Sequence, residues 1–359
     1  MYIPPFRRAL LLVLAAVAMD GCRDARSAEP GSAPDTMRRG ERRALAGRIL
    51  FVSERDGQAE VYEVRPDGSA PHRLTRSASQ DYPGAVSPDG SALLVVSVSG
   101  EERNTTERMA VLPLRGEGAA RSVGPASARV RSPAWSPDGS WIVFESDTAS
   151  FRDLYRMRRD GSGLRRLTDN PQGNFDPAVS PDGAWIAFVS SRDGDAEIYR
   201  MRADGTDVLR LTAFHTDDWA PRWSPDGRRI AFVSNREGRD RVYLVGADGT
   251  AIRALNAATD TAQEAEPAWS PDGLRVAHTI RAGEGSRIAV TDLRTGRRTL
   301  VSPAGEAASA PAWSPDGRHL AYTASRGAES DIRIVRADGG ASFTVVRAPG
   351  ADWLPRWTR

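Results

Sequence analysis

Cysteine and histidine are scarce in this 359-residue chain, and lysine is missing. There is one cysteine, Cys22, so no disulfide can form within the chain. All 49 basic residues are arginine, and 47 acidic residues nearly balance them. A nucleic-acid-binding protein normally carries a basic stripe or patch, which this balance does not indicate. We therefore expect no nucleic-acid partner.

Histidine is the third scarce type, with only four copies: His72, His215, His278 and His319. None of them stands in the HxxxH or HExxH spacing of a metalloenzyme, and the chain has no G-x-S-x-G nucleophile elbow. The sequence therefore predicts no enzyme activity, no catalytic residue, no metal site and no cofactor.

The N-terminus has the pattern of an export signal. Arg7 and Arg8 precede the apolar run ALLLVLAAVAM, which is too short to span a bilayer comfortably. The stretch AMDGC that follows resembles the lipobox of bacterial lipoproteins, in which the cysteine becomes lipidated, although Asp20 departs from the usual small or apolar residue. We predict a signal peptide over residues 1–22 and lipidation of Cys22. Cleavage between Ala25 and Ala28, without lipidation, is the alternative.

Residues 23–46 are rich in Pro, Gly, Ser and Arg and poor in large apolar side chains. Such a segment buries too little surface to offset the entropy of ordering it. We therefore predict a flexible tether over 23–46 and a folded domain over 47–359.

An internal repeat organises the rest of the chain. The tetrapeptide SPDG occurs six times, at residues 87, 136, 180, 224, 270 and 314, 44 to 49 residues apart. Short apolar runs follow it in register, such as WIVF at 141, WIAF at 185 and RIAF at 229. Each is β-branched or aromatic and is bounded by Gly, Pro, Asp or Asn, which indicates strands. Four strands in about 44 residues are typical of a β-propeller blade.

SPDG itself has the composition of a hairpin corner. Pro presets φ for the first corner position, Asp is favoured next, and Gly accepts a positive φ. We therefore interpret SPDG as a turn, with a cation bound by stacked Asp residues as the less favoured alternative.

The two ends of the repeat region predict how the ring closes. The first unit begins at Ile49–Val52 without a preceding SPDG, and the C-terminal DWLPRWTR matches DWAPRWSPDG at 218–227. The C-terminal strand would therefore complete the first blade, so the fold is predicted to be all-β, a closed propeller of seven four-stranded blades. Closure removes exposed sheet edges. The tryptophans that recur before SPDG, such as Trp223, are expected to pack between blades.

The repeated pattern P-x-W-S-P-D-G-x-x-I-A-F…I-Y-x-M…D-G…L-T resembles the WD40-like (PD40) repeat of TolB-like propellers, from residue 47 to 359. That resemblance implies a bacterial envelope protein that binds other proteins. The sequence departs from TolB itself, which has an α/β domain before a six-bladed propeller. Here we count seven blades, and the tether leaves no room for that domain.

Function is expected at the face where outer-to-inner connections meet the loops between second and third strands. The first set brings acidic, aromatic and basic side chains to one rim. We define this candidate binding rim as Asp81, Tyr82, Arg131, Phe175, Asp176, His215, Asp217, Asp218, Trp219, Glu264, Glu266, Asp352 and Trp353. The second set adds Arg55, Arg192, Asn235, Arg236 and Arg326.

Aromatic and Arg side chains are enriched at protein interfaces, so the rim predicts a protein or peptide partner. Alternatively, these loops only solvate the rim, with Trp219 or Trp353 covering the core. The acidic side chains would also suit calcium, although no contiguous calcium loop is present. We predict a monomeric, exported, non-catalytic scaffold, periplasmic or anchored to the outer membrane through its lipid alone. A carbohydrate-binding or carbohydrate-degrading, lyase-type propeller is the alternative.

Overall fold

The structure is a computed structural model that describes residues 35–100, 105–115, 118–126, 128–149, 151–257, 261–283 and 285–359. The predicted signal peptide, Cys22 and residues 23–34 of the predicted tether lie outside the described residues. The described residues form seven four-stranded antiparallel sheets. The prediction of an all-β propeller with seven blades is confirmed.

The strands run outward from the centre of each blade in chain order, except in the first blade. Blade 1 consists of β1 (Arg48–Ser53), β2 (Glu60–Val64) and β3 (His72–Arg73), with the C-terminal β28 (Asp352–Thr358) as its inner strand. Blade 2 consists of β4 (Gln80–Val86), β5 (Ala92–Ser99), β6 (Thr106–Pro113) and β7 (Arg121–Val123). Blade 3 consists of β8 (Val130–Trp135), β9 (Trp141–Ser146), β10 (Asp153–Arg158) and β11 (Arg165–Arg166).

The remaining four blades repeat this order. Blade 4 consists of β12 (Asn174–Val179), β13 (Trp185–Asp193), β14 (Asp195–Arg202) and β15 (Leu209–Arg210). Blade 5 consists of β16 (Asp218–Trp223), β17 (Arg229–Ser234), β18 (Arg241–Gly246) and β19 (Arg253–Ala254). Blade 6 consists of β20 (Gln263–Trp269), β21 (Arg275–Ala282), β22 (Gly285–Asp292) and β23 (Arg298–Leu300). Blade 7 consists of β24 (Ala307–Trp313), β25 (His319–Arg326), β26 (Glu329–Arg336) and β27 (Ser342–Val346).

The ring closes as the sequence predicts. Strand β28 pairs antiparallel with β1, placing Trp357 opposite Ile49 and Asp352 opposite Ser53. The N-terminal side of the seam is close-packed, since a Cβ on Gly47 would lie 2.1 Å from the Thr358 carbonyl oxygen. The two ends of the domain therefore share one sheet, and the inner strands surround an axial channel.

The core lies between the blades. In blades 1, 3, 4 and 5 a Phe of the second strand contacts a Tyr of the third, with ring centroids 5.8 to 6.0 Å apart. The recurring tryptophans lie between adjacent inner strands, where the indole N–H of Trp223, for example, donates to the carbonyl of Ala178 at 3.0 Å. The expected packing between blades is confirmed at these positions.

The last part of the predicted tether packs against the propeller. The backbone N–H of Thr36 donates to the Ser342 carbonyl at 2.7 Å, so this segment lies along the outer strand of blade 7. Met37 is buried beside Phe343, and the short helix α1 (Arg39–Arg43) follows it. From Asp35 onward, the segment is therefore docked rather than free, because one apolar side chain and an open sheet edge give it a binding place. Composition alone does not reveal either feature.

Candidate functional site

The two faces of the propeller differ in the regularity of their side chains. In all six SPDG turns the Ser hydroxyl donates to the Asp carboxylate at 2.5 to 2.6 Å. The Gly residues of these turns have φ between 66° and 71°. Hydrogen bonding lowers the pKa of these carboxyls, that of Asp138 to about 2, with the Ser136 hydroxyl as the largest cause. The prediction that SPDG is a hairpin corner is confirmed. We call this side the SPDG face.

The candidate binding rim lies on the opposite face, where each inner strand begins. Alignment of the inner strands on their tryptophan position, which is Trp223 in blade 5, separates the rim residues into levels. We call the residue five before it the anchor position, occupied by Asp81, Val130, Asn174, Asp218, Glu264, Ala308 and Asp352. We call the residue four before it the mouth position, occupied by Tyr82, Arg131, Phe175, Trp219, Ala265, Ser309 and Trp353.

The anchor position is buried in all seven blades. Arg236 donates to both carboxylate oxygens of Asp218, at 2.9 and 3.2 Å, and stacks at 3.8 Å from the centroid of Phe214. Arg55 binds Asp352 in the same way, at 3.1 and 3.2 Å. These arginines come from the loops between second and third strands, so the pairs tie the two sets of loops together.

Burial dominates the electrostatics of the anchor position. Desolvation raises the pKa of Asp218 to about 6, although Ser234 and Arg236 act in the opposite direction. It also raises the pKa of Asp81, Glu264 and Asp352. Asp81, Asp218, Glu264 and Asp352 are therefore buried beneath the rim, where they stabilise the loops and cannot contact a partner.

The mouth position is half-buried in every blade. Aromatic or Arg side chains occupy it in five consecutive blades, from Trp353 in blade 1 to Trp219 in blade 5, whereas blades 6 and 7 carry Ala265 and Ser309. Within this arc, Arg152 lies 5.4 Å from the ring centroid of Phe175. Aromatic and Arg side chains therefore line one side of the channel mouth, and the small side chains of Ala265 and Ser309 line the other.

Three further rim residues lie near the mouth or outside it. His215 is exposed, and Asp217 accepts a hydrogen bond from the Ala196 N–H at 3.1 Å. Burial raises the pKa of Asp217. Glu266 is exposed, but its carboxylate accepts hydrogen bonds from the Thr279 hydroxyl at 2.6 Å and the Ala310 N–H at 2.8 Å.

A β-bulge recurs just after the mouth position. The next residue has a positive φ, between 46° and 56°, in six blades: Ser132, Asp176, Ala220, Glu266, Ala310 and Leu354. A non-Gly residue with positive φ is uncommon, and its repetition marks a built feature of the inner strands. The bulge places the Asp176 carboxylate 3.5 Å from the Arg222 guanidinium of the next blade.

The structure adds charged residues that sequence reasoning missed. Arg131 forms an ion pair with Glu107, and Arg152 lies 3.6 Å from Glu145, which also accepts a hydrogen bond from the Asp176 N–H at 2.7 Å. Burial raises the pKa of Glu145 and lowers that of Arg152. Glu107 lies on a third strand, Glu145 on a second strand and Arg152 in the loop between β9 and β10, and no sequence signal distinguished them from ordinary strand or loop residues. Among the residues described, no group of three or more His, Cys, Asp or Glu is placed to hold a metal ion.

Comparison with known proteins gives the family. The PD40 family, the TolB beta propeller domain, matches residues 103–217, 169–266 and 260–359, which together are more than half of the chain. The chain belongs to the PD40 family of TolB β-propeller domains. The resemblance inferred from the repeat is therefore confirmed.

Relatives of this PD40 protein share only part of their length with it. The TolB homolog of Chlorobaculum tepidum is 35% identical over 130 residues, which are 36% of this chain and 28% of that protein. An uncharacterized protein of Agrobacterium fabrum is 33% identical over 145 residues, 37% of this chain and 41% of that protein. The matched part is thus less than half the length of either relative.

Solved structures extend the likeness at the level of fold. TolB from Acinetobacter baumannii has a TM-score of 0.55 at 20% identity, over 92% of this chain and 88% of that one. An oligogalacturonate lyase in complex with manganese has a TM-score of 0.65 at 17% identity, over 81% of this chain and 85% of that one. These identities support a common propeller fold and carry no activity with them. In the described part of this PD40 protein, no helix is long and apolar enough to cross a membrane.

Proposed function

We propose that this TolB-like propeller is a non-catalytic scaffold of the bacterial cell envelope that binds a protein or peptide at its rim. The observation that supports this proposal is the asymmetry of the mouth position. Five neighbouring blades present Trp353, Tyr82, Arg131, Phe175 and Trp219, while the SPDG face repeats one turn. Trp, Tyr and Arg dominate the binding energy of protein interfaces, and a rigid half-buried ring lowers the entropy lost on binding.

Site-specific photo-cross-linking tests the proposal in cells that export the full chain. A benzophenone amino acid replaces Phe175 in one variant and Leu274, which is 41% exposed on an SPDG turn, in the other. We expect a discrete covalent adduct with an envelope protein from position 175 and none from position 274. Equal adducts from both positions, or none from either, would contradict the assignment of the rim.

Alanine substitution at the mouth measures the strength of the contact. Trp353→Ala should weaken capture of the cross-linked partner by about tenfold or more, as expected for an aromatic anchor. The far-ultraviolet circular dichroism spectrum and the unfolding midpoint confirm that the variant is folded. Glycan binding on an array, if it were abolished by EDTA and partner capture were absent, would favour the carbohydrate alternative instead.

Envelope anchoring through Cys22 is part of the same proposal and is tested separately. The chain is expected to incorporate radiolabelled fatty acid and to fractionate with membranes, whereas Cys22→Ser should be exported without label. Equal labelling of both chains would exclude Cys22 as the lipidation site.

A further inference from the structure

At one position of the inner strands, the residue type differs in two of the seven blades. We define the channel position as the residue just before the tryptophan position. It is alanine in five blades, and the full set is Ala85, Ala134, Ala178, Arg222, Ala268, Ala312 and Arg356. The five alanines are short and half-buried. At the same level of the ring, Arg222 and Arg356 instead carry long cationic side chains.

Both arginines lie on inner strands, which surround the axis of the propeller. Arg222 lies in blade 5 and Arg356 in blade 1, so two blades separate them around the ring, and the channel is the space they share. Both are exposed, and Arg222 contacts the inner-strand residue Asp176 of the neighbouring blade at 3.5 Å. Desolvation by the surrounding protein, followed by the positive charge of Arg222, lowers the pKa of Arg356 to about 10.

The two positive charges are unequally compensated. Arg222 donates to its neighbour Pro221 at 2.8 Å and faces Asp176. Arg356 makes no side-chain hydrogen bond or ion pair within the described residues. The acidic group that acts on Arg356 is Glu266, which raises its pKa and whose Oε2 accepts hydrogen bonds from Thr279 and Ala310. A guanidinium presents five N–H donors, so Arg356 retains its full capacity for an oxyanion.

We propose that Arg222 and Arg356 form an oxyanion-binding site inside the axial channel, which accepts a carboxylate or phosphate group. Both groups match the planar fork of a guanidinium, and an anion between two arginines relieves their mutual repulsion. The site lies three residues along the strand from the mouth position, about 10 Å toward the SPDG face. It is therefore distinct from the aromatic rim and does not depend on the partner proposed there.

Titration of the mature protein with inorganic phosphate and with succinate tests the site, with sodium chloride holding the ionic strength constant. Isothermal calorimetry and the unfolding midpoint are measured for four proteins: the wild type, Arg356→Ala, Arg222→Ala and Arg228→Ala. Arg228 is the matched control, because it is an exposed arginine beside an SPDG turn whose side chain forms no hydrogen bond or ion pair among the described residues.

Saturating oxyanion should raise the unfolding midpoint of the wild type and of Arg228→Ala by a few degrees, since it binds only the folded state. Arg356→Ala and Arg222→Ala should each bind about tenfold more weakly or worse. Binding of phosphate alone would identify a phosphate ligand, and binding of succinate would identify a carboxylate; either supports the site.

Two outcomes would overturn the site. One is an unchanged wild-type midpoint with both anions, and the other is equal affinity in Arg356→Ala and Arg228→Ala. Misfolding would not explain weaker binding by Arg356→Ala, because alanine is the residue that five other blades carry at this position. Without added oxyanion, this variant should unfold at or above the wild-type midpoint, since it removes the repulsion from Arg222.

Discussion

The SPDG face and the rim are opposite ends of the same seven inner strands, yet their side chains follow different rules. At the SPDG face, six turns repeat one Ser–Asp hydrogen bond with exposed, hydrogen-bonded carboxylates. At the rim, the anchor position is buried and forms a close Arg–carboxylate pair in blades 1 and 5, and the mouth position changes from blade to blade. The repeated end is explained by backbone geometry alone. The varied end needs a further explanation, and the proposed binding of a partner would supply one.

The largest expected effect distinguishes a buried carboxylate of the rim from an exposed one of the SPDG face. Asp218→Ala leaves the Arg236 guanidinium, which is 7% exposed, without its partner. Removal of one member of a buried pair typically lowers the free energy of unfolding by about 3–5 kcal/mol. Urea denaturation at pH 8, where the Asp218 carboxyl is ionised, measures the loss.

Asp226→Ala is the matched control on the SPDG face. It removes hydrogen bonds from the Ser224 hydroxyl at 2.5 Å and the Arg228 N–H at 3.1 Å, and should cost about 1 kcal/mol. The double variant Asp218→Ala/Arg236→Ala should lose less than the sum of its single variants, because no unpaired charge remains. Equal losses for Asp218→Ala and Asp226→Ala would contradict the structural role of the anchor position.

The next effect concerns acid stability. His278 in β21 is fully buried, and its Nε2 lies 3.8 Å from Glu264 Oε1 at the anchor position of blade 6. Desolvation lowers the pKa of His278 from 6.5 to about 4. The folded protein thus binds this proton more weakly than the unfolded chain. Its contribution to stability is present above pH 6.5 and is lost as the pH falls toward 4, in total about 3 kcal/mol.

Replacement by the residue of other blades isolates this contribution. The equivalent positions carry Phe51, Phe144, Phe188 and Phe232, so His278→Phe should fold and flatten the stability profile between pH 6.5 and 4. The SPDG carboxyls, whose pKa values are lowered, should lose their contribution only in stronger acid. Parallel profiles for wild type and His278→Phe, recorded by urea denaturation across this range, would refute the assignment.

The sequence predicts the structure of the SPDG face far better than that of the rim. The six SPDG turns and the match between DWLPRWTR and DWAPRWSPDG together predict the seven blades and the pairing of β28 with β1. Both follow from local turn chemistry and a repeat in register. The burial of Asp218 does not, because its partner Arg236 stands 18 residues later in a different loop.

One feature of the inner strands was within reach of the sequence but needed a different comparison. Alignment of the residue before each recurring tryptophan shows five alanines and the pair Arg222 and Arg356, and only the closed ring reveals that they face one channel. The docking of Met37 was not accessible in this way. One apolar side chain in a polar segment has no signature until the outer strand of blade 7 is in place.

The smallest effect tests the seventh corner of the SPDG face, where blade 1 has two chain segments in place of a turn. Gly47 has φ of 89°, and a Cβ there would lie 2.1 Å from the Thr358 carbonyl oxygen. Gly57 has φ of 93° in the loop after β1, with nothing within 4 Å of such a Cβ. Both Gly→Ala changes carry the same backbone strain, so their difference measures the contact at the seam.

Gly47→Ala should therefore lower the free energy of unfolding by about 1–3 kcal/mol more than Gly57→Ala, because β28 must shift away from β1. Urea denaturation of the two variants provides the comparison. The Trp357 indole, which donates to the Ala46 carbonyl at 2.9 Å, is a further contact of the same seam that a shift of β28 would disturb. Equal stability of the two variants would mean that closure tolerates movement of β28, and the seventh corner would then be no tighter than an ordinary loop.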